Sequence, residues 1–183
     1  MRMLGISGSL RSGSYNTQLL HAAARLAPDG VDLEPYDGLR AIPPYDQDVQ
    51  ADGAPLSVQE LRRRIENADA LLIATPEYNG SIPGVLKNAL DWASRPFPDN
   101  ALRNKPVAVI GASTGTYGGI WAQAELRKVL GIIGARIVEG DLAIGRAPEH
   151  FDDAGALIDA EKRHRLADLL RDLAGQVALR PAA

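Results

Sequence analysis

Short apolar runs, each about the length of one strand, alternate along this chain with longer segments of helical period, and no other feature restricts its fold as much. The strand-like runs are Met3–Ser7, Val31–Tyr36, Ala70–Thr75, Val107–Ala112 and the less regular Ala135–Glu139. The helix-like segments are Asn16–Leu26, Val58–Asn67, Gly84–Ala93, Gly119–Ile133 and Ala156–Val177. In the third of these, Val85, Leu86, Ala89, Leu90 and Trp92 recur at helical spacing. The run before it, DALLIAT, is apolar without alternation and reads as a strand covered on both faces. Strands alternating with helices build βαβ units and a parallel sheet.

Five strands and five helices suit an α/β, flavodoxin-like fold. This is a doubly wound, five-stranded parallel sheet in the order 2-1-3-4-5, with helices on both faces and ligands bound beyond the carboxyl ends of the strands. With 183 residues, 45% of them hydrophobic, the chain is expected to form one domain over residues 1–183. A formal net charge of −3 argues against nucleic-acid or membrane-surface partners. The absence of cysteine excludes disulfides, thiolate metal sites and cysteine nucleophiles, and no metal site is expected. MRMLGIS enters a strand directly, without the apolar core of a leader, and no later run is long enough to span a bilayer. A cytoplasmic location is the expectation. The one long irregular stretch, Asp37–Ser57, carries three prolines and the segment PPYDQD. A loop of that length is expected to be functional or interfacial. The terminal RPAA is expected to fray.

Polar, turn-prone loops follow the first, third and fourth strands, which are neighbours in the expected sheet. The first, in GISGSLRSGSYN, opens a helix with small residues, so backbone N–H groups and the hydroxyls of Ser9, Ser12 and Ser14 are available to an anion. Arg11 adds a fixed charge and a planar donor fork suited to phosphate. The spacing Gly8-x4-Gly13 imitates half a P-loop, but Ser14 and Tyr15 stand where the lysine and the magnesium-binding hydroxyl belong. Nucleoside triphosphate hydrolysis is therefore not expected. Ser14 also reads simply as a helix N-cap. After the third strand, Pro76 stops the run, Asn79-Gly80 signals a turn and Pro83 fits a first helical turn. The third loop is GASTGTYGG, Gly111–Gly119. Any one of these loops is unremarkable; three converging on one crevice indicate a ligand site.

Gly111–Gly115 also fits the G-x-S-x-G nucleophile elbow, and Asp141 and His164 follow Ser113 in the order of a hydrolase triad. His164, however, lies in a charged helical stretch whose polar face accounts for it, and no acid–base pair has an evident place near Ser113. No catalytic side chain is assigned.

In order and spacing, GSLRSGSYN, TPEYNGSIPGVLKNALDW and GASTGTYGG resemble the NADPH-dependent FMN reductase family, which includes flavodoxin-like quinone, chromate and azo-dye reductases. The middle motif is the most specific of the three. The resemblance implies an FMN site in which Ser9, Arg11, Ser14 and Asn16 hold the phosphate, assisted by Thr17. It implies that Pro76, Glu77, Tyr78, Asn79 and Gly80 line the isoalloxazine, with Gly80 letting the backbone approach it, and that Ser113, Gly115 and Gly118 meet its pyrimidine side. It further implies hydride transfer from NADPH or NADH through FMN to a small-molecule electron acceptor. A homodimer or homotetramer is also implied, with Asp37–Ser57 lying near the neighbouring subunit's flavin. A flavodoxin-like electron carrier without turnover of its own is the alternative at this point.

Overall fold

The computed structural model describes residues 1–178; the RPAA tail lies outside them. The strands are β1 (Arg2–Ser7), β2 (Asp32–Tyr36), β3 (Ala70–Ala74), β4 (Pro106–Ala112), β5 (Arg136–Ile137) and β6 (Leu142–Ile144). The helices are α1 (Tyr15–Leu26), α2 (Gln47–Asp52), α3 (Leu56–Asn67), α4 (Gly84–Ala93), α5 (Ile120–Ile133) and α6 (Ala160–Ala178). The sheet is parallel, in the order β2-β1-β3-β4-β5, with β6 also paired to β4. This is the flavodoxin-like topology that the alternating pattern predicts.

Every residue of β3 and β4 is buried, as unbroken apolar runs at the centre of a doubly covered sheet require. One apolar cluster lies on the face of α3, α4 and α5, and includes Leu61, Ile65, Leu86, Trp92 and Leu126. The other lies on the face of α1 and α6, with Leu19, Leu20, Leu166 and Leu170. β2 is an edge strand and tolerates Pro35, whose missing N–H costs a central strand far more.

Three expectations need correction. Asp37–Ser57 is not irregular. It contains a 3₁₀ turn at Gly38–Ala41, all of α2 and the start of α3. It also packs on its own chain. The Pro43 carbonyl accepts from Asn88 Nδ2 and Trp92 Nε1, both at 2.8 Å, and the Tyr45 ring meets Trp92 edge-on at 4.9 Å. Secondly, the last helix begins at Ala160, because Phe151 and Leu157 form an antiparallel bridge that holds the preceding residues in a turn.

Thirdly, the fifth strand position is filled by two short pieces rather than by Ala135–Glu139. β5 pairs with Pro106 and Val107, and β6 with Ile110–Ala112. Between them the guanidinium of Arg127, from α5, donates to the Val109 and Gly140 carbonyls at 3.1 Å each and pairs with Asp141 at 3.0 Å. An arginine thus serves a β4 carbonyl that a continuous fifth strand would have satisfied.

Candidate functional site

The loops after β1, β3 and β4 meet at the carboxyl end of the sheet around a cleft of about 160 Å³. The first and middle loops are in contact. Gly8 N–H donates to the Ala74 carbonyl at 2.8 Å, and a Cβ at Gly8 would stand 3.0 Å from Leu86 and 3.2 Å from Pro76. Ser7 Oγ gathers the first loop, accepting from Ser9 N–H at 3.3 Å and from the Thr17 hydroxyl at 3.0 Å. Ser14 is buried and caps α1, its Oγ accepting from Asn16 N–H at 3.2 Å. Arg11 is exposed, and its guanidinium has no partner among the described residues; Nη1 lies 3.8 Å from where a Gly13 Cβ would be. A free cation, serine hydroxyls and the first N–H groups of a twelve-residue helix form a donor set for an anion.

The middle loop is rigid for reasons its sequence only half discloses. The buried Thr75 hydroxyl donates to the Pro76 carbonyl at 2.8 Å. Tyr78 and Ser81 exchange backbone hydrogen bonds of 3.0 and 3.2 Å around Asn79 (φ 55°) and Gly80 (φ 76°). Two positive φ values give a type I′ turn, for which Asn-Gly is the favoured pair. Apart from its two chain neighbours, no described residue comes within 4 Å of a Cβ built at Gly80, so among the described residues the glycine answers to its φ. Glu77 Oε2 accepts from the N–H groups of Trp121 and Ala122, each at 3.0 Å, in the first turn of α5.

The third loop is tied to β6 and the turn after it. Ser113 N–H donates to the Ile144 carbonyl at 2.9 Å, Arg146 N–H to the Gly115 carbonyl at 2.9 Å and Ala147 N–H to the Ser113 carbonyl at 3.0 Å. Gly118, at φ 61°, packs so closely that a Cβ would lie 2.6 Å from the backbone of Ala143 and Ile144.

Of the residues expected to bind, Ser9, Arg11, Ser14, Asn16, Pro76, Glu77, Tyr78 and Ser113 line the cleft; Thr17, Asn79, Gly80, Gly115 and Gly118 do not. Tyr15, Ala112 and Thr114 also line it. Tyr15 carried a weak signal, being the aromatic residue that opens a helix beside the loop; its ring packs on Phe151 at 5.4 Å. The Asn16 amide is spent on the fold: Nδ2 donates to the Ala112 carbonyl and Oδ1 accepts from Ala112 N–H, both at 2.9 Å. It locks α1 to the end of β4, and so joins the first loop to the third.

The hydrolase alternative finds no geometry. Ser113 Oγ accepts from Gly115 N–H at 3.1 Å. Asp141 pairs with Arg127, and His164 with Asp168 at 3.4 Å on α6. No histidine lines the cleft.

Over residues 1–149 the chain matches the model of the family described as NADPH-dependent FMN reductase. It is 45% identical over 174 residues to an NAD(P)H-dependent FMN reductase of Pseudomonas aeruginosa, covering 94% of this chain and 93% of the relative. It is 40% identical over 162 residues to a quinone reductase of Escherichia coli, covering 87% and 86%. The solved structure of FerB from Paracoccus denitrificans, a flavoenzyme NAD(P)H:(acceptor) oxidoreductase, superposes with a TM-score of 0.88 at 34% identity, covering 97% of each chain.

Proposed function

The chain belongs to the NADPH-dependent FMN reductase family, and from that premise we infer that it passes hydride from NAD(P)H, through bound FMN, to a small electron acceptor, quinones foremost. The observation that carries this reading is the Arg11 guanidinium, without a partner among the described residues, beside the N-terminus of α1 and facing one cleft with the rigid Pro76–Ser81 turn. Charge and donors at one end and an inflexible backbone at the other fit a ligand with a phosphate at one end and a planar ring at the other. The loop after β1 also suits a terminal monophosphate, hence FMN. When bound, FMN supplies the two-electron chemistry, and the protein's share is orientation and electrostatics.

In this reading Arg11, Ser9 and the first N–H groups of α1 hold the phosphate, and Ser14 presents that helix end. Asn16 and Thr17 brace the pocket through Ala112 and Ser7. Pro76, Glu77 and Tyr78 offer their backbone to the ring, with Asn79 and Gly80 setting the turn. Ser113 and Thr114 meet the opposite edge, while Gly115 and Gly118 shape their loop. A quinone acceptor follows from the names of the relatives. A cytoplasmic location follows from the need for NAD(P)H.

The cleft is smaller than the roughly 300–1,000 Å³ of ordinary ligand pockets, so one chain walls only part of such a ligand. Tyr78, Val85, Tyr117, Ile120 and Trp121 are exposed on the first turns of α4 and α5 and the loops before them, and the Tyr117 and Trp121 rings meet at 5.1 Å. We place the second copy of a homodimer there rather than on the self-packed Asp37–Ser57 segment; pairing of dimers would give a tetramer. An interface of about 1,200–2,000 Å² would keep the dimer intact at micromolar concentration, and Trp121→Glu should yield a monomer by light scattering.

The deciding experiment is to denature the purified protein, identify the released flavin by chromatography, and follow anaerobic bleaching by NADPH and recolouring by benzoquinone. FMN released in about equimolar amount, with bleaching and recolouring, is expected. No flavin uptake after reconstitution, or FAD as the tight ligand, refutes the reading. Bleaching that only a protein partner can reverse favours the electron carrier.

A further inference from the structure

α5 begins at Ile120 after two glycines, Gly118 and Gly119, both at positive φ. Neither has a side chain with which to cap the helix, yet the N–H groups of its first turn require acceptors. The acceptor comes from the loop after β3. Glu77 Oε2 lies 3.0 Å from both Trp121 and Ala122 N–H, the second and third residues of the helix, which an N-cap oxygen would ordinarily serve. Gly119 answers to its φ of 77° rather than to crowding: a Cβ there would make ordinary contacts, 3.6 Å from the Glu77 Cβ and the Thr75 carbonyl oxygen, which places Glu77 against the start of the helix.

The same residue, Glu77, carries a backbone group that no other described residue uses. The Thr75 hydroxyl holds the Pro76 carbonyl. Because the peptide is planar, with C=O and N–H on opposite sides, the Glu77 N–H is turned away from Thr75. It finds no acceptor among the described residues, and Glu77 lines the cleft. The Pro76–Glu77 peptide is thus fixed at one side by Thr75 and at the other by the Glu77 carboxylate clamped to α5.

We propose that Glu77 is a positioning residue for the flavin ring: its side chain, by capping α5 across 44 residues of sequence, holds the Pro76–Glu77 peptide so that its N–H serves the ring's polar edge. This rests on the FMN reading. The carboxylate does not touch the flavin. It acts through the loop backbone, and its charge is met by the helix end it caps.

The test compares Glu77→Gln and Glu77→Ala with the wild type. Glutamine keeps an oxygen that can accept from both N–H groups; alanine keeps none. The readouts are the visible spectrum and reduction potential of the bound flavin, the dissociation constant for FMN, and amide exchange at Trp121 and Ala122 in the flavin-free protein. Glu77→Ala should speed exchange at those two amides and weaken FMN at least tenfold. It should also shift the flavin bands and lower the potential, because a donor aimed at the ring favours its electron-rich reduced form. Glu77→Gln should restore all four towards wild type. Faster exchange in Glu77→Ala with an unchanged spectrum, potential and FMN affinity would reduce Glu77 to a helix cap and overturn the proposal. So would a Glu77→Gln variant as impaired as the alanine. A wild-type protein that takes up no FMN would instead refute the flavin reading itself.

Discussion

Replacing Arg11 with alanine separates recognition of a phosphate from recognition of the rest of the flavin. The guanidinium makes no hydrogen bond or ion pair among the described residues, so its loss removes nothing from the fold, and the thermal midpoint of the flavin-free protein should stay within about 1 °C of wild type, surface changes of this kind costing under about 0.5 kcal/mol. A hydrogen bond to a charged group contributes about 1.5–3 kcal/mol, which is roughly a 10- to 150-fold change in dissociation constant. The side chain is exposed, so the lower half of that range is expected at physiological salt, and the effect should shrink further as ionic strength rises. The assay is quenching of flavin fluorescence on titration into flavin-free protein, run in parallel with FMN and riboflavin. FMN affinity should fall about tenfold or more while riboflavin affinity changes less than about twofold, since riboflavin lacks the group Arg11 would pair with. Equal losses for both ligands would refute the assignment of Arg11 to the phosphate. A large drop in thermal stability would show that the side chain has a structural partner after all.

Asn16→Ala should act on the fold first: it strands the buried N–H and carbonyl of Ala112 at about 1–3 kcal/mol each, and thermal denaturation of the flavin-free protein should show a drop of several degrees. Gly118→Ala combines strain at φ 61° with a Cβ 2.6 Å from the β6 backbone; a loss of about 1–3 kcal/mol is expected by urea denaturation, and an unchanged midpoint would contradict the packing of the third loop. The Asp159 carboxyl is held below its ordinary value chiefly by the Lys162 N–H, with His150 also favouring its charged form. Its contribution to stability is therefore present above the ordinary carboxyl range and is lost as pH falls through the lower folded value. A carboxyl-carbon NMR titration should place its midpoint below that of a free aspartate, and a midpoint at or above it would refute the contact.

The double cover of the sheet could be read directly because β3 and β4 are buried at every position and carry unbroken apolar runs, a pattern a doubly covered strand needs; the strand order came from the alternation of strands and helices, which suits a flavodoxin-like sheet. α2 was hidden because none of its six residues is buried; with no apolar face there is no period to detect. The fifth strand position was misjudged because Glu139, Gly140 and Asp141 part its apolar residues into two groups, and the first alone resembled a strand. At the site, the placement of Ser9, Arg11, Ser14, Pro76 and Ser113 follows from loops that adjoin strand ends, a local signal. The engagements of Asn16 with Ala112, Thr17 with Ser7 and Glu77 with α5 are side-chain bonds across the fold. Nothing in the residues nearby announces them.

The split fifth strand and the precision of the cleft are linked. A continuous strand would pair along β4 in one register and leave the third loop to close by itself. Here β6 pairs with Ile110–Ala112, the last residues of β4, and runs level with the loop. From that height Ile144 accepts the Ser113 N–H, and the residues just after it, Arg146 and Ala147, bond back to Gly115 and Ser113. The cost falls lower on the edge, where the Val109 carbonyl loses its strand partner. Arg127 meets that cost with one guanidinium that serves Val109, Gly140 and Asp141 together. A buried carbonyl left bare costs about 1–3 kcal/mol, comparable with what the arginine's charge-assisted bonds return. The arrangement therefore gives up little stability, and it anchors one wall of the cleft to the sheet, as Asn16 anchors the first loop and Glu77 the middle one.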